Sequence, residues 1–280
     1  MYQLGPQNID CTISDDVDTW ESSLPRIEDI SKFRILGLTA GSFTPFKPNG
    51  LDNVIVHVGG NNLREAKELA QHAEQIGANA ISSLPTVFLR PKNVQALVEY
   101  LRELSEAAPT LPLYYYHIPS MSGVNLCMEE LLDAIGDSIP TFRGMKYTAA
   151  DLHDFGRCIT HSNGKYDMLY GNDESILAAL SFGGKGFVGS TYNYSGKMCN
   201  RVIDAFNKRD LETARSEMFK VQAFVSVLKK YGGSVDANKC IMVLSGLDVG
   251  PPRLPLIEFT KENRENLQKD LEAVGFFGLI

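Results

Sequence analysis

The sequence predicts an α/β protein built on a parallel sheet, and three observations carry that prediction. From residue 33 onward, short apolar runs rich in Val, Ile, Leu and Tyr alternate with longer stretches whose apolar residues recur at helical spacing. Two of the runs, Tyr114-Tyr115-Tyr116-His117-Ile118-Pro119 and Thr141-Phe142-Arg143-Gly144-Met145-Lys146-Tyr147-Thr148, gather polar residues at their carboxyl ends. That is the end at which α/β folds place their chemistry. The 280 residues, 44% of them hydrophobic, are ample for one large domain with a single core.

Residues 1–32 read as an acidic, loosely ordered extension with little periodicity. A first strand is expected at 34–43, ending in Thr44-Pro45, and a second at 53–58, followed by a helix at 63–76 with Leu63, Ala66, Leu69, Ala70 and Ala73 on one face. His57, among valines, reads as a packed core histidine rather than a ligand. Further strands follow at 80–84, 113–116, 142–146, 167–170 and 186–189, and helices at 94–104, 129–135, 152–159 and 173–182. Alternation puts Tyr114 and Tyr116 on one face of their strand and Tyr115 on the other. Asn172 or Asp173 is a credible N-cap for the helix at 173–182. Gly184-x-Gly186-x-x-Gly189 matches a dinucleotide-binding pattern by letter, but it enters a strand where the fingerprint must open a helix. Gly183 and Gly184 read instead as the stop of the preceding helix. Residues 196–280 read as C-terminal helices, at about 197–207, 210–230 and 236–245, then, after a break at Gly250-Pro251-Pro252, near 262–274.

The net charge of −7 and the lack of a basic patch argue against nucleic acid. Cys11, Cys127, Cys158, Cys199 and Cys240 are scattered and odd in number, which disfavours a disulfide framework and a structural zinc site and points to a cytoplasmic setting. No apolar run reaches the roughly 18 residues that span a bilayer, so no membrane is expected.

The residue that focuses the chemistry is Lys146. A lysine at the mouth of an apolar pocket loses proton affinity, because desolvation penalises the ammonium, and the neutral amine can attack a carbonyl. Tyr116, at the end of the neighbouring run, is a natural proton carrier for such a reaction.

Tyr116-His117-Ile118-Pro119, Gly144-Met145-Lys146, Gly171-Asn172-Asp173-Glu174 and Gly189-Ser190-Thr191-Tyr192-Asn193-Tyr194 together resemble the N-acetylneuraminate lyases. These are the sialic-acid aldolases of the pyruvate-lyase superfamily that includes dihydrodipicolinate synthase. The likeness runs from about Phe33 to the carboxyl end, and it implies a TIM (β/α)8-type barrel over residues 33–195 with a C-terminal helical extension. It further implies a Schiff base on Lys146, proton transfer by Tyr116, and binding of the sugar chain by Thr148, Gly171, Asp173, Glu174 and Ser190. The imine is its own electron sink, so neither a metal nor a cofactor is implied; the small-molecule substrate is a sialic acid, cleaved to pyruvate and N-acetylmannosamine. Family members commonly assemble as homotetramers.

Against the eight strands that the resemblance implies, the sequence supplies seven. Between the first strand and the second only residues 45–52 intervene, whereas adjacent parallel strands need a crossover of about a dozen residues. One β/α unit is therefore missing from the barrel, between Gly50 and Leu51. In relatives that unit carries a Gly-Thr-Thr-Gly-Glu type of loop that holds the carboxylate of pyruvate, and this chain has no match for it. The family's reaction is thus expected with an impaired rate. Two alternatives stand beside it: a catalytically inactive lyase-like subunit that associates with active ones, and a pyruvate-condensing enzyme of the dihydrodipicolinate synthase kind. The latter class carries an arginine soon after the tyrosine motif, and Ser120-Met121-Ser122-Gly123-Val124 has none.

Overall fold

The computed structural model describes residues 54–280, together with the backbone of two dipeptide strands, β1 (Thr12–Ile13) and β2 (Gly37–Leu38), which pair in parallel. β1 lies in the stretch expected to be a loose extension, and β2 lies within the expected first strand. The rest of both stretches, and the break at Gly50 and Leu51, fall outside the described residues.

Six parallel strands then form one sheet in chain order: β3 (Ile55–His57), β4 (Ala80–Ser83), β5 (Leu113–His117), β6 (Phe142–Tyr147), β7 (Asp167–Tyr170) and β8 (Gly186–Phe187). Helices separate them: α1 (Leu63–Gln75), α2 (Val94–Ala107), the short α3 (Pro119–Ser122), α4 (Met128–Ile135), α5 (Leu152–Thr160) and α6 (Ile176–Ser181). This is a partial (β/α) barrel. β5 and β6 each run one residue beyond the expected end because His117 and Tyr147 still pair in register. β8 is shorter than expected, although Val188 N–H still donates to the Tyr170 carbonyl at 2.9 Å.

The helices start where short polar side chains can take the orphan N–H groups of a first turn. Asn62 accepts from Arg64 N–H at 3.1 Å to open α1, and Asn93 from Ala96 N–H at 2.9 Å to open α2. α1 buries Ala66, Ala70 and Ala73, and α2 buries Leu97, Leu101 and Leu104, so their apolar stripes lie on the sheet. α4 has Cys127 at its N-cap, and that side chain does not cap. The missing acceptor comes from α5: the buried Asp154 carboxylate accepts from Met128 N–H and Glu129 N–H, each at 3.1 Å, and from the Tyr147 hydroxyl at 3.1 Å. Asp154→Ala strands the two N–H donors, while the Tyr147 hydroxyl keeps the Asp151 carbonyl at 2.8 Å, and is expected to destabilise the fold by roughly 2 to 4 kcal/mol, read from the midpoint of urea unfolding.

Beyond the sheet lie α7 (Tyr192–Asn207), α8 (Leu211–Lys230), α9 (Val235–Leu244) and α10 (Lys261–Ala273). α7 begins five residues before the sequence pattern indicates, since the Thr191 carbonyl accepts both the N–H and the hydroxyl of Ser195 at 2.8 Å. That bond holds a Tyr-Asn-Tyr-Ser stretch of weak helix formers in the first turn. Phe224 of α8 and Phe276 meet at a tilt with centroids 5.2 Å apart, and Tyr194 of α7 meets Phe276 edge-on at 5.9 Å, which ties the terminal helices together.

Candidate active site

β5 and β6 pair so that Tyr116 and Lys146 sit opposite one another in the ladder. Partners in a parallel ladder share a face, so both side chains point to the barrel interior. There the Lys146 ammonium lies 4.1 Å from the centre of the Tyr116 ring. Lys146 is only 7% exposed, among Ile55, Ser82, Tyr114, Tyr116, Leu169 and Val188, which line one small cavity with it. Tyr115 takes the opposite face and is fully buried beneath the helices, so the alternation expected of the triple tyrosine holds.

At the carboxyl end of β6, Thr148 follows the strand, and its Oγ1 is buried with no hydrogen-bond partner among the described residues. Gly171 follows β7 and leaves room for it. A Cβ on Gly171 would stand 2.0 Å from Thr148 Oγ1 and 3.1 Å from Lys146 Cε, so the absence of a side chain there lets lysine and threonine share one space.

Asp173 is 5% exposed, in the 3-10 turn Asp173–Ser175 that leads into α6. The sequence makes it or Asn172 a helix cap, and the structure does otherwise. Asp173 Oδ2 accepts from the N–H of Thr191 at 3.0 Å and from its hydroxyl at 2.6 Å, while Asn172 Nδ2 donates to the Ala149 carbonyl at 2.8 Å. Asp173 Oδ1 has no partner among the described residues. Burial pushes the Asp173 carboxyl up, and the Thr191 donors and the Lys146 charge pull it back. Ser190 precedes Thr191, is half-buried, and its carbonyl accepts from Asn193 Nδ2 at 2.9 Å. Glu174 diverges from the group: its carboxylate reaches α8, where Lys229 Nζ lies 2.6 Å away.

Lys146, Tyr116, Thr148, Gly171 and Asp173 are thus brought together, Ser190 adjoins them through Thr191, and Glu174 faces the terminal helices. Sequence reading did not single out Thr191, Ser82, Gln222 or Lys229. Thr191 bonds to Asp173 across 18 positions and Lys229 to Glu174 across 55, and no local pattern signals either. Among the described residues no three His, Cys, Asp or Glu side chains converge as a metal site, and no helix is long and apolar enough to cross a membrane.

His57 pairs in register with Ser82, and its Nε2 accepts from Leu84 N–H at 3.0 Å, a packed histidine as expected. Its pKa is lowered to about 4, first by burial and then by the Lys146 charge; His117, 2% exposed, is also lowered to about 4 by burial. The unfolded chain takes up these protons near 6.5, so the stability from neutral burial is complete above that pH and is lost as pH falls toward about 4. Near pH 5 each histidine is expected to cost about 2 kcal/mol, with Asp173, whose shift is upward, acting in the opposite sense. Urea unfolding at pH 7 and pH 5 checks this, and His117→Asn is expected to flatten part of the slope.

Comparison with known proteins finds relatives that share this fold. A family model of the dihydrodipicolinate synthetase family matches residues 48–274. The chain is 47% identical over 230 residues to the N-acetylneuraminate lyase of Mus musculus, covering 81% of this chain and 72% of that protein. It is 45% identical over 228 residues to the corresponding Homo sapiens protein, with coverages of 81% and 71%. Among solved structures, the N-acetylneuraminate lyase of Proteus mirabilis superposes with a TM-score of 0.77 at 40% identity, covering 81% of this chain and 76% of that one. A dihydrodipicolinate synthase from Cyanidioschyzon merolae gives a TM-score of 0.72 at 26% identity, with coverages of 80% and 74%.

Proposed function

The chain belongs to the dihydrodipicolinate synthetase family, and from that premise we propose that it is a Schiff-base aldolase cleaving N-acetylneuraminate to pyruvate and N-acetylmannosamine. The observation that supports this reading is the Lys146 amine, buried against Tyr116, with two unpartnered oxygens, Thr148 Oγ1 and Asp173 Oδ1, in the same group of side chains. Lys146 attacks the C2 ketone of the open-chain sugar acid, and the carbinolamine loses water to leave an iminium. Tyr116 removes the proton of the C4 hydroxyl, the C3–C4 bond breaks, and its electron pair moves onto the iminium to give an enamine and the aldehyde of N-acetylmannosamine. Protonation of the enamine at C3 and hydrolysis release pyruvate and restore the amine. Thr148, Gly171, Asp173, Glu174 and Ser190 bind the sugar chain. The absent carboxylate loop leaves the substrate less well positioned, and lost positioning of this kind is expected to lower turnover by about 10² or more.

A coupled assay for pyruvate release from N-acetylneuraminate tests the reading. Tyr116→Phe is expected to lower kcat by about 10²- to 10⁴-fold, because only the proton carrier is lost. An unchanged kcat in that variant excludes Tyr116 from the proton transfer.

The partial barrel favours a second reading: a lyase-like subunit without turnover that assembles with active ones. Co-expression with an intact lyase, followed by sizing and activity measurement, separates the two. Failure to co-assemble removes the second reading.

A further inference from the structure

Glu174 is held twice by one face of α8. Gln222 Nε2 donates to its main-chain carbonyl at 3.0 Å, and Lys229, two helical turns later, pairs with its carboxylate at 2.6 Å. The first bond fixes the backbone of the turn that also carries Asp173, and the second fixes the direction of the side chain. Two adjacent carboxylates, one of them buried, stand here beside the proposed path of an anionic sugar acid. Lys229, the cation in contact with Glu174, offsets that repulsion.

We propose that Gln222 and Lys229 are positioning residues that hold the Glu174 carboxylate on the α8 side of the site, where it meets the hydroxylated tail of the sugar acid, with Lys229 also setting the site's acceptance of the substrate's negative charge. α8, outside the barrel strands, thereby becomes a specificity element. The inference rests on the sialic-acid reading above. Both side chains project from the outer part of the molecule, Lys229 61% exposed, so their replacement leaves the core intact.

Lys229→Met is expected to raise KM for N-acetylneuraminate roughly three- to tenfold while leaving kcat within about twofold, since the reacting atoms are untouched. Lys229→Arg restores the affinity. Titration calorimetry is expected to show a smaller loss for the neutral sugar N-acetylmannosamine than for the anion, and the difference narrows at high salt. In a Glu174→Gln background, Lys229→Met has a smaller effect than in the native chain, because only the offset of the remaining Asp173 charge is lost. Wild-type affinity in Lys229→Met overturns the proposal. A native chain that traps pyruvate on Lys146 yet binds neither sugar overturns the sialic-acid reading itself, and this inference with it.

Discussion

Incubation with pyruvate followed by borohydride reduction is expected to leave a covalent adduct on the native chain and none on a Lys146→Ala chain, as read by intact mass. The lysine is 7% exposed and its ammonium lies 4.1 Å from the Tyr116 ring, in surroundings that are largely apolar. Pyruvate needs an amine at that position, and no rearrangement of the neighbours supplies one. Removing a buried, charged side chain has opposing effects on stability: packing is lost, and so is the penalty of burying the charge. The variant is therefore expected to remain folded, which thermal unfolding checks. Lys146→Arg is expected to be equally silent, because a guanidinium does not lose its proton to become a nucleophile. A reduced adduct surviving in Lys146→Ala would assign the Schiff base to a different lysine and remove the basis of the proposed mechanism. No adduct on a folded native chain would instead favour the non-catalytic subunit, with the missing loop as the cause.

The features legible in the sequence were those with a short-range signature. Alternation separated Tyr116 from Tyr115, and burial confirms the division. Helical spacing located α8 and α10 to within a residue at each end, because each carries an apolar stripe along its length. Less visible were polar contacts made across the fold. Nothing near Cys127 announces that the cap of α4 comes from Asp154, 27 positions on. Asp173 has the composition of a cap and the position of one, and its carboxylate nevertheless turns to Thr191, because a buried carboxylate must find donors wherever the fold supplies them. The early start of α7 escaped notice for a similar reason: Asn193, Tyr194 and Ser195 have weak helix propensity, and the Thr191–Ser195 bonds override it. The shortened connection before β3 was legible by counting alone, and the partial barrel and the coverage of the relatives' length, about three quarters, are consistent with it.

Gly144→Ala is expected to be the most damaging small substitution in the sheet, destabilising the fold by about 3 kcal/mol or more and removing the pyruvate adduct from whatever remains folded. Gly144 pairs with Asp167 in the β6–β7 ladder, and a Cβ there would stand 1.9 Å from the Asp167 carbonyl oxygen. The obstacle is backbone, which cannot rotate aside as a side chain can. Nor is Asp167 free to retreat, since its Oδ2 accepts from the Tyr114 hydroxyl at 3.0 Å and from Arg143 Nε at 2.8 Å. Relief must therefore come from parting β6 and β7. Lys146 lies two residues along β6, paired with Leu169 on one side and Tyr116 on the other, so the strain passes directly to the amine. Gly60→Ala is the matching control, because a Cβ there meets nothing within 4 Å, and a change of at most about 0.5 kcal/mol is expected. Urea midpoints for the two variants decide the matter. Equal stability would mean that the β6–β7 ladder yields where its geometry says it cannot, and that the glycine two residues before the lysine serves some purpose other than close approach.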